Sequence, residues 1–124
     1  MRLTTTFALT ALAALLSAPP AFAADAMPAN GMLVNASGMT VYVFDKDVAG
    51  SGKSACSGGC LVAWPAVIAT EASPAAPYGS IQREDNGAMQ LTYKGKPLYL
   101  YKEDKKPGDV AGDNFKNVWH VVKP

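Results

Sequence analysis

The feature that most constrains this chain is an internal repeat. Thr40-Val41-Tyr42-Val43-Phe44-Asp45-Lys46-Asp47 returns fifty-seven residues later as Pro97-Leu98-Tyr99-Leu100-Tyr101-Lys102-Glu103-Asp104. Each copy reads Tyr-x-aromatic-x-x-Asp, and each follows a glycine, Gly38 or Gly95, at the same distance. The same shift pairs Val34 with Leu91. Loops of unequal length follow: a Gly/Ser-rich one over residues 50–59 with Cys56 inside it and Cys60 directly after it, and a polar one over residues 105–117. Each loop leads to a tryptophan, Trp64 in the first copy and Trp119 in the second. A repeat this short cannot bury its apolar face alone, so the two copies must share one core.

Side chains alternate along a strand, so Tyr42 and Phe44 face one way and Val41 and Val43 the other; Tyr99 and Tyr101 divide from Leu98 and Leu100 likewise. Strands apolar on both faces sit centrally and are covered on each side. Met32-Leu33-Val34 before Ser37-Gly38, and Met89 to Tyr93 before Lys94-Gly95, supply a hairpin partner for each. Residues 118–122 make a closing strand. With no amphipathic helix in view, the expected class is all-β, a small sandwich or barrel of two pseudo-symmetric hairpin repeats. Repeat one spans about 31–69 and repeat two about 81–124, joined by a Pro-containing linker over about 70–80.

The N-terminus speaks to compartment. A basic start at Met1-Arg2, an uncharged apolar run from Phe7 to Leu16 and Ala21-Phe22-Ala23 follow the three-part pattern of a secretory signal peptide over residues 1–23. The apolar run is too short for a membrane span, and no cysteine near the cleavage site could take a lipid. Cleavage after Ala23 leaves 101 of the 124 residues, one small domain, opened by a flexible leader over residues 24–30. Arg2 leaves with the signal, so basic and acidic side chains balance. That balance argues against nucleic acid or an anionic membrane as partner.

The doubled Tyr-x-aromatic-x-x-Asp, the segment Cys56-Ser57-Gly58-Gly59-Cys60-Leu61-Val62-Ala63-Trp64-Pro65 and the closing Pro107-Gly108-Asp109 … Asn117-Val118-Trp119-His120-Val121-Val122 occur here in order. Together they resemble the bacterial secreted-repeat family, described as predicted lipoproteins with a Y-x-[FWY]-x-x-D motif. The resemblance runs from about Gly31 to Lys123 and implies export and the doubled architecture. It implies no activity, and this chain departs from the lipoprotein description in lacking the lipid-accepting cysteine.

An even cysteine count in an oxidising compartment reads as a disulfide. Cys56 and Cys60 can close across Gly58-Gly59, and such a ring stabilises by roughly 2 kcal/mol. A redox-active pair more often has Cys-x-x-Cys spacing at a helix start in a thioredoxin-like setting, which this stretch lacks. His120, the lone histidine, cannot form a zinc site by itself. Ser51, Ser54 and Ser57 show no nucleophile-elbow pattern. No catalytic residue, cofactor or metal is therefore expected. Met27, Met32, Met39 and Met89 with His120 would be the ligands of any copper(I) site. Asp109, Asp113 and Asn114 lack the acidic ladder of a calcium loop. Asp47 and Asp104 recur at one place in both copies, which suits carboxylates accepting backbone or tyrosine hydrogen bonds where the strand ends. Tyr42, Phe44, Tyr99, Tyr101, Trp64 and Trp119 suit the core better than a ligand pocket. The function expected is an exported, non-enzymatic binding or envelope-associated module, a monomer meeting an envelope protein or a small ligand. The alternative is a periplasmic redox or copper-handling protein acting through Cys56 and Cys60.

Overall fold

The computed structural model describes residues 25–71 and 73–124; the signal peptide expected over residues 1–23 lies outside them. Nearly all regular structure is β, arranged as three small sheets. The strands are β1 Ala26–Ala29, β2 Met32–Asn35, β3 Tyr42–Phe44, β4 Tyr78–Gln82, β5 Met89–Tyr93, β6 Lys96–Pro97 and β7 Trp119–Val121. A five-residue helix, α1 Gly59–Ala63, and a 3-10 turn, Phe115–Asn117, precede the two tryptophan segments.

Within the flexible leader expected over residues 24–30, the described residues 25–30 are ordered instead. Residues 26–29 form β1, paired antiparallel with β2 from Ala26↔Asn35 to Ala29↔Met32, and Ala26 is buried. The joining residues are Asn30 and Gly31, at φ 51° and 80°. Two positive φ angles in a two-residue connection match the twist of the flanking strands, and Asn-Gly adopts them at low cost. Copy two has the counterpart: β4 pairs antiparallel with β5, from Tyr78↔Tyr93 to Gln82↔Met89. β4 begins inside the stretch expected as linker, so each repeat opens on a hairpin earlier than its motif suggests.

The two repeats interlock rather than sit side by side. At the centre, Tyr42 N–H donates to the Tyr99 carbonyl at 2.8 Å and Tyr99 N–H to the Tyr42 carbonyl at 2.9 Å. Outward from that reciprocal pair, each motif strand is flanked by the other copy's tryptophan segment. β3 of copy one pairs with β7, Phe44 opposite Trp119. In copy two, Val67 N–H donates to the Leu98 carbonyl at 3.0 Å and Leu100 N–H to the Pro65 carbonyl at 2.7 Å.

The hydrophobic core divides as strand alternation requires. Leu33, Val41, Val67, Leu91, Leu98 and Val122 form an aliphatic cluster, with Val43 and Leu100 packed against it. Tyr42, Phe44, Cys56, Trp64, Tyr99 and Trp119 form an aromatic one, with Tyr101 packed against it. Each contains both copies. One pairing differs from the uniform shift of fifty-seven: Leu33, not Val34, is the partner of Leu91. Leu33 N–H donates to the Val122 carbonyl at 2.9 Å as Leu91 N–H donates to the Val67 carbonyl at 2.8 Å. Leu33 and Leu91 carbonyls likewise accept from Val41 and Leu98, both at 3.0 Å. The turn after β2 carries one extra residue, held by Asn35 Oδ1 accepting from the Ser37 and Met39 N–H groups.

Candidate functional site

The repeated motif builds two exchanged hydrogen bonds. Tyr42 Oη donates to Asp104 Oδ2 at 2.7 Å, and Tyr99 Oη donates to Asp47 Oδ2 at 2.7 Å. Each tyrosine thus reaches the aspartate of the other copy. The second carboxylate oxygen organises the loop beyond it: Asp47 Oδ1 accepts from Ala55 N–H at 2.6 Å and Asp104 Oδ1 from Ala111 N–H at 2.8 Å. Both tyrosines have no exposed surface. Burial pushes their ionisation far above the usual phenol range, since a phenolate would lose its hydration; the neighbouring carboxylates push the same way.

Over this crossing lies a column of four rings. Phe44 stacks on Trp119 at 4.2 Å, Trp119 on Trp64 at 3.8 Å and 2° between planes, and Trp64 on Tyr101 at 4.1 Å. Tyr42 meets Trp64 edge-on at 5.3 Å, and Tyr99 meets Trp119 edge-on at 5.1 Å. Exchanging the two copies maps the column onto itself. Both tryptophans are 4% exposed and belong with Tyr42, Phe44 and Tyr99 to the buried aromatic cluster, with Tyr101 packed against it. Gly112 is required here, because a Cβ at that position would stand 2.6 Å from the Trp64 ring and 2.9 Å from the Tyr101 ring.

The symmetry breaks around the cysteines. Cys56 and Cys60 are joined, with Cα atoms 5.3 Å apart, Cys56 fully buried and Cys60 half-buried at the start of α1. In copy two, Phe115 takes the place of Cys60: each lies four residues before its tryptophan and donates its N–H to a carbonyl three residues back at 3.1 Å. Copy one therefore fills with a disulfide the space that copy two fills with a ring.

A buried arginine locks the disulfide loop to copy two. The Arg83 side chain is 2% exposed; its Nε and Nη2 donate to the two oxygens of Asp85 at 3.0 and 2.7 Å, its Nη1 to Gln90 Oε1 at 2.7 Å, and its Nη2 also to the Cys56 carbonyl. Gln90, itself buried, donates onward to the Leu98 carbonyl at 2.7 Å. Ser54 Oγ joins Tyr99 Oη and accepts from Cys56 N–H. The Asp85 hydrogen bond raises the guanidinium's affinity for its proton, while the guanidinium holds the Asp85 carboxyl below the usual range. Arg83 and Gln90 stand outside every motif of the sequence. The available signal was that Arg83 is the one arginine after Arg2 in a lysine-rich chain, and the planar fork is the cation suited to buried, bidentate pairing.

Between these elements opens a cleft of about 290 Å³. Lys53, Ser54 and Ser57 of the disulfide loop form one wall, and Gln82 to Asp85, at the end of β4 and beyond it, form the other. The walls lie where the copies differ: the first carries the disulfide, for which copy two has Phe115, and the second comes from the six residues that join β4 to β5 where Asn30-Gly31 alone joins β1 to β2.

The remaining candidates are dispersed. His120 Nε2 lies 2.8 Å from Asp45 Oδ2 and its Nδ1 3.0 Å from Asn114 Oδ1, so both ring nitrogens are engaged. Met27 is on β1, Met32 on β2, Met39 in the following turn and Met89 on β5. Asp109 Oδ2 accepts from the Lys105 and Lys106 N–H groups, and Asp113 Oδ1 accepts from Val121 N–H. Of the three serines in the Gly/Ser loop, Ser54 alone reaches the buried network.

Among the described residues no helix is long and apolar enough to cross a membrane. Comparison with curated proteins and with solved structures gives no match. A family model matches twice, over residues 24–68 and 80–123, which brackets the two interlocked units and begins early enough to take in β1. The chain belongs to the family described as a secreted repeat of unknown function.

Proposed function

We propose that this protein is a non-enzymatic binding module of the periplasm, and that the cleft between the disulfide loop and residues 82–85 is its ligand surface. One observation carries the reading. The loop that carries the disulfide in copy one only and the β4–β5 connection, longer than its counterpart in copy one, converge on that cleft, whereas the motif residues common to both copies hold the copies together. Lys53 and Glu84 bring opposite charges to the facing walls, and the Arg83–Asp85 pair gives the second wall a fixed polar base. A volume of about 290 Å³ lies at the lower edge of what small-molecule sites occupy, so the ligand is small, polar and charged at both ends, as free amino acids and dipeptides are.

The test is an amide-shift titration of the isotopically labelled oxidised protein with a panel of free amino acids and dipeptides. Saturable shifts centred on Lys53, Ser57 and Glu84, lost in Lys53→Ala, are the expected outcome. Shifts elsewhere, or none across the panel, overturn this assignment of the cleft.

A further inference from the structure

We propose that the aromatic column and its two tyrosine–aspartate pairs form a one-electron relay, in which the stacked tryptophans lose an electron to a small oxidising free radical, which is reduced to its anion, and Tyr42 or Tyr99 refills it. Three observations on different scales converge on this chemistry. Indole and phenol are the protein rings most readily oxidised by one electron, and here Trp64 and Trp119 lie face to face at 3.8 Å and 2°. That overlap lets one electron vacancy be shared over both rings. Each indole has its own phenol edge-on, Tyr42 beside Trp64 at 5.3 Å and Tyr99 beside Trp119 at 5.1 Å. Each phenol already points its proton at a carboxylate, 2.7 Å away in both cases.

The last point distinguishes this core from ordinary aromatic packing. A phenol that loses an electron becomes a strong acid, and inside an apolar cluster the charge must be removed at once, because an unpaired buried charge is costly. Asp104 and Asp47 are placed to accept that proton. The balance is simple: the oxidant gains one electron, the phenol becomes a neutral phenoxyl radical, and the carboxylate becomes a carboxylic acid. The column opens toward solvent at Tyr101, half-buried and stacked on Trp64 at 4.1 Å, whereas Phe44 closes the other end with a ring too hard to oxidise. An oxidant at the rim therefore draws from the tryptophan pair across one ring.

Pulse radiolysis of the full oxidised protein with azide radical tests this. Azide radical oxidises indole first, and the visible band of the tryptophan radical is resolved from the near-ultraviolet band of the tyrosyl radical. The expected result is decay of the first as the second rises, at a rate independent of protein concentration and slower in deuterium oxide. In a Tyr101→Phe background, which removes the other phenol on Trp64, the double variant Tyr42→Phe with Tyr99→Phe loses that phase; Tyr78→Phe, whose ring packs on Tyr93 instead, retains it. A rate proportional to protein concentration, no solvent isotope effect, or the same transfer in the double variant overturns the relay. The first two are read on the unaltered protein, so they decide the matter even where the double variant does not fold. No ligand enters the experiment, which keeps it separate from the test of the cleft.

Discussion

Tyr42 donates its phenolic proton to Asp104, sixty-two residues along the chain, and not to Asp47 of its own motif. Tyr99 mirrors it, crossing back to Asp47 over fifty-two residues. The Tyr-x-aromatic-x-x-Asp signature is therefore half of a joint, completed by the other half from the second copy. Neither repeat can satisfy its own buried polar groups, which explains physically why the motif comes doubled. A buried phenol without an acceptor, or a buried carboxylate without donors, would each cost about 1–3 kcal/mol.

The exchange makes a specific energetic claim. Tyr42→Phe and Asp104→Asn should each destabilise by about 1–3 kcal/mol in denaturant unfolding. Combined, they should be less damaging than their sum by about 1 kcal/mol, because both remove one interaction. Tyr42→Phe with Asp47→Asn should instead add to within about 0.5 kcal/mol, although those residues share a motif. Coupling within a copy and additivity between copies would contradict the crossing.

Alkaline pH probes the same phenols. Burial, aided by the carboxylates, raises the ionisation of Tyr42 and Tyr99 in the folded state, while in the unfolded chain both ionise near the usual value of about 10. The folded state thus binds more protons above that pH. Its advantage is intact below about pH 10 and falls as pH rises further, by about 1.4 kcal/mol per pH unit for each phenol. Phenolate absorbance from these two of the five tyrosines should arrive together with loss of near-ultraviolet dichroism. Five phenols titrating near pH 10 while that dichroism stays native would contradict the burial.

Much of this was legible in the sequence because strand alternation is strict. Tyr42 and Phe44 fall in one cluster and Val41 and Val43 in the other, as a period of two demands. The cysteine pairing and the doubled architecture follow from compartment and repeat length. β1 was obscured by composition: Pro28 and the small residues around it look like leader, although Asn30-Gly31 is itself a strong hairpin signal. The direction of the tyrosine hydrogen bonds was not readable, since either aspartate satisfies the motif locally and long-range packing alone selects between them. Arg83 was missed for a related reason, because its partners Asp85, Gln90 and Cys56 carry no common spacing. The cleft walls lie inside the repeats but where the copies differ, in the cysteine-bearing loop and in the six residues between β4 and β5, so the shared motif does not mark them.

The disulfide separates the staple from the redox reading expected as its rival. Cys56 is fully buried, and its backbone is held on both sides, its N–H by Ser54 and its carbonyl by Arg83. Opening so short a ring should cost roughly 2 kcal/mol, a substantial share of a small domain's stability. Cys56→Ser with Cys60→Ser should therefore melt several degrees lower than the parent while keeping its fold. Amide-shift changes should be confined to the disulfide loop and to residues 82–90, which Arg83 ties to it. The oxidised protein should also resist glutathione-level reductant, as structural disulfides do. Ready reduction with unchanged melting would return Cys56 and Cys60 to redox chemistry, because a bond that can be broken without loss of stability is not acting as a staple.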